Sequence, residues 1–279
     1  MAFRRLLRGQ IEWERLEAVA REVIDRYEEP TDREESSDGD HPLGARVRFL
    51  DANNWLSTPF VVDDRYFVKV ISRQHSLVHT LLTAGRNLGA FSSGSEGFFE
   101  RFDTPLEMAE HEFEATERMT GIGVNVPEPI EAFEHDGLGV LVMEYLPEFQ
   151  TLDQADEVTV RAFADELFES LRSMHDAGFA HGDLRSENVL LSGGELYFID
   201  ATKVNSGAVD DARAYDVACG LAVLEPLIGA GDAVDAAAGA YDAAVLVTAR
   251  DFLDFVTIRP DHQFDGPALK GELGKVAAE

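Results

Sequence analysis

The chain is short of cysteine, of lysine and of long apolar runs, and each shortage excludes something. A single cysteine, Cys219, excludes an internal disulfide framework and a zinc site built on several thiolates. No stretch approaches the roughly 18 consecutive apolar residues of a membrane-spanning helix, and the charged start Met1–Gly9 has no apolar segment behind it that would read as a signal peptide. A soluble, cytoplasmic protein with no membrane partner is expected. Lysine occurs four times (Lys69, Lys203, Lys270, Lys275) against twenty arginines. With 53 acidic and 24 basic residues the formal charge is −29, and such a chain repels duplex nucleic acid and anionic lipid unless a local patch intervenes. What is present in quantity is core material: 45% of 279 residues are apolar, enough for one or two well-packed domains.

Self-repulsion among so many like charges weakens a compact state in dilute buffer, whereas at molar salt the screening length falls to about 3 Å. An acidic partner-binding surface would be concentrated in one segment. Here the acidic residues run along the whole chain and lysine is depleted, a composition that resembles proteins of salt-accumulating halophilic archaea. On that resemblance the net charge reflects salt and says little about partners.

Leu16, Val19, Ala20, Val23, Ile24 and Tyr27 recur at helical spacing and predict an amphipathic helix over the first 27 or so residues. The polar run from Glu28 to Asp40 reads as a linker. Short β-prone runs follow at Val47–Leu50, Pro59–Val62, Tyr66–Ile71 and Gly139–Met143, with one helix at about Leu106–Thr120 between the last two. After Pro147 the texture turns helical, with helices expected at about Val158–Ala177, Asp211–Leu227, Ala233–Leu246 and Asp251–Val256. Two strands, Val189–Leu191 and Leu196–Ile199, are joined by the turn Ser192-Gly193-Gly194. The expected class is α+β: an N-terminal helix and acidic linker (1–40), a β-rich lobe with one main helix (41–146) and a helical lobe (147–279).

The segment that carries chemistry is His181-Gly182-Asp183-Leu184-Arg185-Ser186-Glu187-Asn188, running into Val189-Leu190-Leu191, with Tyr197-Phe198-Ile199-Asp200 following. An Asp or Asn in a turn usually caps a backbone group. The combination is more specific: H-x-D-x-x-x-x-N, a short hairpin, then an Asp at a strand end resembles the protein-kinase-like superfamily. The resemblance implies a two-lobed kinase-like fold with ATP and Mg²⁺ or Mn²⁺ as cofactors. Transfer of a γ-phosphoryl group needs an acceptor held in line and divalent metal to neutralise the phosphates. Asp183 would orient the acceptor hydroxyl and receive its proton, while Asn188 and Asp200 would supply hard oxygens to the metal. His181 reads as a packed structural residue rather than a base.

Lys69 lies mid-strand in Tyr66-Phe67-Val68-Lys69-Val70 and is the only lysine of the first two hundred residues. A strand lysine of this kind acts in kinases as a point charge on the α- and β-phosphates. Its implied partner is a glutamate on the following helix, and Glu114 is the expected one, with Glu110 and Glu117 one turn to either side. By the same resemblance, Leu141–Pro147 is the connector that holds the adenine through backbone groups of Glu144 and Leu146, with Met143 lining the pocket. No glycine-rich loop is present. Leu50–Thr58 takes its place, making Asn53, Asn54, Ser57 and Thr58 the expected phosphate contacts.

The departures narrow the family. Gly182 stands where many protein kinases carry the arginine that pairs with a phosphorylated activation segment; Ala201-Thr202 follow Asp200, so the Asp-Phe-Gly switch is absent; 15 residues separate Asp200 from Asp216. Asp216 looks like the helix aspartate that braces the catalytic loop. These features, with the long stretch Gln74–Thr104, resemble the RIO-type atypical kinases and imply an atypical serine/threonine protein kinase, with a second role as an ATPase switch open. The RIO pattern places Leu-Ser after the catalytic Asp. Here it is Leu184-Arg185, so Arg185 takes the place of the basic residue of ordinary kinases and could touch the γ-phosphate. Aminoglycoside- and choline-type phosphotransferases also carry His-Gly-Asp, so a small-molecule acceptor stays open beside a protein one, as does a non-catalytic nucleotide-binding scaffold. In an assembly role Arg4, Arg5 and Arg8 could touch ribosomal RNA, although arginines on a helix flank more often form ion pairs.

Overall fold

The computed structural model describes residues 11–27, 47–50, 57–73, 102–201, 209–257 and 262–276. The chain forms two compact units, and the class is α+β. The first unit takes its described residues from 11–73, 102–114 and 127–147, and the second from 115–126 and from 148 onward.

The first unit is a five-stranded antiparallel sheet with a helix on each face. Its strands are β1 (Val47–Phe49), β2 (Thr58–Val62), β3 (Tyr66–Ile71), β4 (Pro129–His135) and β5 (Leu138–Glu144), in the order β1-β2-β3-β5-β4. Side chains alternate between faces along a strand, and the two faces have separate cores. Phe60, Val62, Val68, Val70, Val140 and Val142 pack with Leu16, Val19, Ala20, Val23 and Ile24 of helix α1 (Trp13–Tyr27). Ile71, Leu141 and Met143, with Phe67 beside them, pack with Met108, Ala109 and Phe113 of helix α2 (Pro105–Gly121). The expected segment 1–40 is therefore, over its described part, an integral layer of the first unit. Arg26 at the end of α1 pairs with Glu131 of β4 at 2.7 Å, and the Tyr27 hydroxyl donates to the same carboxylate.

Strand β4 has no counterpart in the sequence-based expectation. It begins at a proline and carries Glu131 and Glu134, yet it pairs with β5 from Pro129↔Met143 to His135↔Leu138 and closes the sheet edge.

In the second unit helix α3 (Glu157–Asp176) is capped by Asp156, whose side chain accepts from Thr159 N. A small sheet joins β6 (Gln150–Thr151), β7 (Val189–Ser192) and β8 (Glu195–Phe198). The β7–β8 turn places Gly193 and Gly194 at φ of +61° and +84°, the pair of left-handed residues that a tight two-residue hairpin demands. Helix α4 (Val209–Ile228) lies in the middle, with Ala212, Tyr215 to Ala218, Leu221 and Leu224 all buried. It packs against α3 and against helices α5 (Ala230–Ala240) and α6 (Ala243–Thr257). The sequence predicts helices over 233–246 and 251–256; the structure breaks the chain at Tyr241 instead, where Asp242 Oδ1 accepts from Val245 N and restarts a single continuous helix. A last helix, α7 (Gly266–Val276), lies beyond the helices expected from the sequence and contains three glycines and Pro267. Proline in a first turn costs no hydrogen bond, and buried Leu269 and Leu273 anchor the helix. Among the described residues no helix is long and apolar enough to cross a membrane.

Candidate active site

Each unit presents one set of candidate residues. In the first, Lys69 shares the α2-covered face of β3 with Phe67 and Ile71, and its side chain is 5% exposed. Its ammonium donates to both oxygens of Glu112, at 2.7 and 2.8 Å. This corrects the expected partner. Glu114 is exposed, whereas Glu112 is buried. Glu112 follows Met108 by four residues and Ala109 by three, which places it on the helix stripe that meets the sheet; two residues further on, the helix has turned by about 200°. A full charge is tolerated there because the pair is bidentate, as desolvated charges require.

Met143 and Leu146, at the end of β5 and just beyond it, are buried, and Glu144 is exposed. The Glu144 N–H is already used by the Glu128 carbonyl at 2.8 Å, so of its two backbone groups the carbonyl is the one left for an adenine contact. Ser57 is buried and Thr58 opens β2 opposite Val70. Asn53 and Asn54 lie outside the described residues.

The second unit holds the loop between α3 and β7. Its backbone is fixed by Asp216 of α4, a fully buried carboxylate. One oxygen, Oδ2, accepts from the His181 N–H at 2.6 Å, and the other, Oδ1, accepts from the Gly182 N–H at 2.8 Å. Gly182 sits at φ +78°, a conformation that penalises any side chain, and this explains a glycine between His181 and Asp183 without reference to regulation. His175 on α3 places its Nε2 3.1 Å from Asp216 Oδ2.

His181 is buried and bridges rather than reacts. Its Nε2 is 3.0 Å from the Ile199 carbonyl, and its Nδ1 is 3.4 Å from the Asp183 N–H. A neutral ring with the proton on Nε2 satisfies both contacts, and burial depresses its pKa, outweighing the neighbouring aspartates. The ring thus ties the residue before Asp200 to the Asp183 backbone.

Asp183 is 5% exposed and Asn188 2%. The Asn188 Nδ2 donates to the Asp183 carbonyl at 2.8 Å, which fixes the amide and assigns the opposite position to its oxygen. Arg185 lies over this pair: Nε is 3.4 Å from Asp183 Oδ2, Nη2 is 3.4 Å from Asn188 Oδ1, and Nη1 is 3.2 Å from Glu187. The β7–β8 register, Val189↔Phe198, continues through the Ile199 N–H to the Asn188 carbonyl. Asp200 follows directly at φ +63°, a strained conformation for a non-glycine residue of the kind that clusters at functional sites. Asn188 Oδ1 and the Asp200 carboxylate are hard oxygen donors at neighbouring strand ends. Such a set suits an ion of the Mg²⁺ type, which takes few protein ligands and fills the rest of its shell with water or phosphate.

The sequence reading missed Glu112 as the partner of Lys69, and it missed His175. Both were marked by periodicity: His175 extends the buried α3 stripe of Leu167, Phe168, Leu171 and Met174.

Residues 99–215 match the family model of the RIO domain. Among curated proteins, the chain is 32% identical over 87 residues to the KEOPS complex subunit Bud32 of Pyrococcus abyssi, covering 30% of this chain and 38% of that protein. It is 35% identical over 96 residues to the Citron Rho-interacting kinase of Mus musculus, covering 30% of this chain and 5% of that protein. The chain therefore spans well under half the length of either relative. Among solved structures it is similar to an aminoglycoside-3'-phosphotransferase of type VIII, with a TM-score of 0.47 and 16% identity over 80% of this chain and 97% of that one. The matched stretch 99–215 includes α2, the β4–β5 hairpin and the Asp183 loop, and over these residues the chain is similar to the RIO domain.

Proposed function

We propose that the chain is an ATP-dependent phosphotransferase, a RIO-like atypical serine/threonine protein kinase that moves the γ-phosphoryl group to a hydroxyl. The observation that carries this reading is the buried loop in which both oxygens of Asp216 hold the His181 and Gly182 amides just before Asp183, and Asn188 is tied by its side chain to the Asp183 carbonyl. Preorganisation of this kind is what the reaction asks of a protein, because phosphoryl transfer is catalysed by positioning and charge rather than by covalent chemistry. Asp183 orients the acceptor hydroxyl and takes its proton. Arg185, a positive charge beside that carboxylate, offsets negative charge on the transferring group. Lys69, held by Glu112, carries the phosphates. Glu144, through its carbonyl, and Leu146 meet the adenine, with Met143 against the ring and Ser57 and Thr58 beside the phosphates. Asn188 and Asp200 hold a divalent ion, Mg²⁺ or Mn²⁺, which neutralises phosphate charge when bound. The Pyrococcus relative is named as a subunit of a complex, and this supports a protein as acceptor or partner.

The test is incubation of the full chain with γ-labelled ATP and Mg²⁺ or Mn²⁺ in molar salt, alongside Asp183→Ala and Asp200→Asn. Label should reach protein hydroxyls. Asp183→Ala should lose about 10²–10⁴ of the rate yet still bind nucleotide, whereas Asp200→Asn should weaken metal-dependent nucleotide binding. Label appearing only as free phosphate would favour the ATPase switch, and label on an added aminoglycoside or choline would favour the small-molecule reading. Unchanged transfer in either variant would overturn the residue roles.

A further inference from the structure

Behind the Asp183 loop lies a polar chain that the proposed chemistry does not use. The Tyr241 hydroxyl is 2.8 Å from His175 Nδ1, the other ring nitrogen of His175 is 3.1 Å from Asp216 Oδ2, and that same oxygen accepts the His181 N–H. Tyr241, His175 and Asp216 are all buried. Tyr241 stands where α5 ends. Its backbone is extended, its N–H is fixed by the Ala237 carbonyl at 2.9 Å, and Arg172 holds the preceding Ala240 carbonyl at 3.2 Å. Its ring meets Phe168 edge-on at 6.4 Å. The break between α5 and α6 thus delivers one phenol to one imidazole.

The donor inventory fixes the direction of the chain. A carboxylate only accepts, so Nε2 facing Asp216 must carry a proton, and the Nδ1 of a neutral ring then needs a donor. A phenol is that donor as long as it keeps its proton. Burial, and after it the negative charge of Asp216, push the Tyr241 phenol well above its ordinary value of 10.

We propose that Tyr241 is a positioning residue for the Asp183 loop, acting through His175: its hydroxyl holds the imidazole as the Nε2–H donor that completes the hydrogen bonding of Asp216, and Asp216 in turn sets the His181–Gly182 backbone. The proposal rests on the reading of that loop as the phosphotransfer loop. It extends the control of the loop to a residue that touches neither it nor any proposed ligand contact.

Tyr241→Phe removes the hydroxyl and keeps the ring. In the full chain kcat should fall about 3–10-fold, the rate equivalent of one neutral hydrogen bond, with KM for ATP unchanged. In a His175→Gln background the same change should add nothing. Nitrogen-15 spectra of the unmodified protein should show His175 protonated at Nε2 and accepting at Nδ1, and Tyr241→Phe should shift the amide signals of His181 and Gly182. An unchanged kcat, an equal further loss in the His175→Gln background, or a ring protonated at Nδ1 in the unmodified protein would each overturn the proposal. The spectra need no turnover: if the unmodified chain transfers no phosphate, the functional reading fails, while the ring and amide signals still decide the relay.

Discussion

The Lys69–Glu112 pair gives the sharpest test of the first unit, because its contributions to stability and to function should separate. Both side chains are under a tenth exposed, and the ammonium contacts both carboxylate oxygens at 2.7 and 2.8 Å. Replacing Glu112 by Leu removes the carboxylate and leaves the charge of Lys69 buried. Breaking a buried pair in this way costs about 3–5 kcal/mol, a large part of the roughly 5–15 kcal/mol that stabilises a typical domain. Lys69→Met alone should cost a similar amount, since it strands the carboxylate. The double variant Lys69→Met/Glu112→Leu removes both desolvation penalties and fills the same layer beside Met108, Ala109 and Phe113, so it should return to within about 1–2 kcal/mol of the parent. Glu114→Leu alters an exposed position and should change stability by less than about 0.5 kcal/mol. Urea denaturation in molar salt measures all four, and ATP binding to the folded double variant should be lost. Equal costs for Glu112→Leu and Glu114→Leu, or a double variant as unstable as the sum of its parts, would refute the assignment. ATP binding retained by the stable double variant would leave the pair structural and remove Lys69 from the nucleotide contacts.

Asp216→Asn keeps the shape of the brace and removes one acceptor. Either orientation of the amide turns an NH2 group toward a buried backbone N–H, of His181 or of Gly182, and a destabilisation of about 1–3 kcal/mol should appear in urea melts, with kcat falling further than KM rises; a variant as stable and active as the parent would show that Asp216 does not hold the loop. His181 supplies a pH signature. Burial lowers its folded pKa below the ordinary 6.5, so between that folded value and 6.5 the unfolded chain binds a proton that the folded one does not. Its contribution to stability is therefore complete above about pH 7.5 and declines as pH falls below 6.5, by at most about 1.4 kcal/mol per pH unit. Stability against pH for the parent and for His181→Gln should differ in slope by one proton across that window, whatever the offset in absolute stability; identical slopes would mean that His181 is not held neutral.

The elements that were legible in the sequence are those in which one period dominates. Helices α2, α3 and α4 lie within two or three residues of expectation, and the Gly193-Gly194 turn is where two short strands needed it. What was missed involved tertiary override. Strand β4 carries Glu131 and Glu134 and starts at a proline, and it is held by pairing with β5 and by Arg26 and Tyr27 reaching across from α1. No local pattern reports a bond between residues about a hundred positions apart. The α5–α6 break falls inside an alanine-rich run, two residues after Gly239. Asp242 caps the helix that follows, and the Tyr241 hydroxyl finds a buried partner at the break.

The chemistry was harder to read because the composition hides it. In a chain with 53 acidic residues an aspartate or glutamate is ordinary, and motif spacing alone separates few of them from the solvated majority. Burial separates them sharply: among the described residues the buried acidic side chains are Glu112, Asp183 and Asp216. Each sits against a positive charge or a donor already in place: the Lys69 ammonium for the first, the Arg185 guanidinium 3.4 Å away for the second, and the His181 and Gly182 amides for the third. A carboxylate gains nothing from leaving water unless compensating charges or donors are fixed first, so an acidic composition by itself has no tendency to produce these three. Glu112 shows how far the sequence could have gone. The strand period puts Lys69 on one face of β3, the helix period puts positions 108, 109 and 112 on one face of α2, and the partner follows from intersecting the two; Glu114 lies a half-turn away from that face. Where a highly charged chain offers several candidate carboxylates, the one in phase with the apolar stripe is the one that can be desolvated, and therefore the one that can hold a buried lysine.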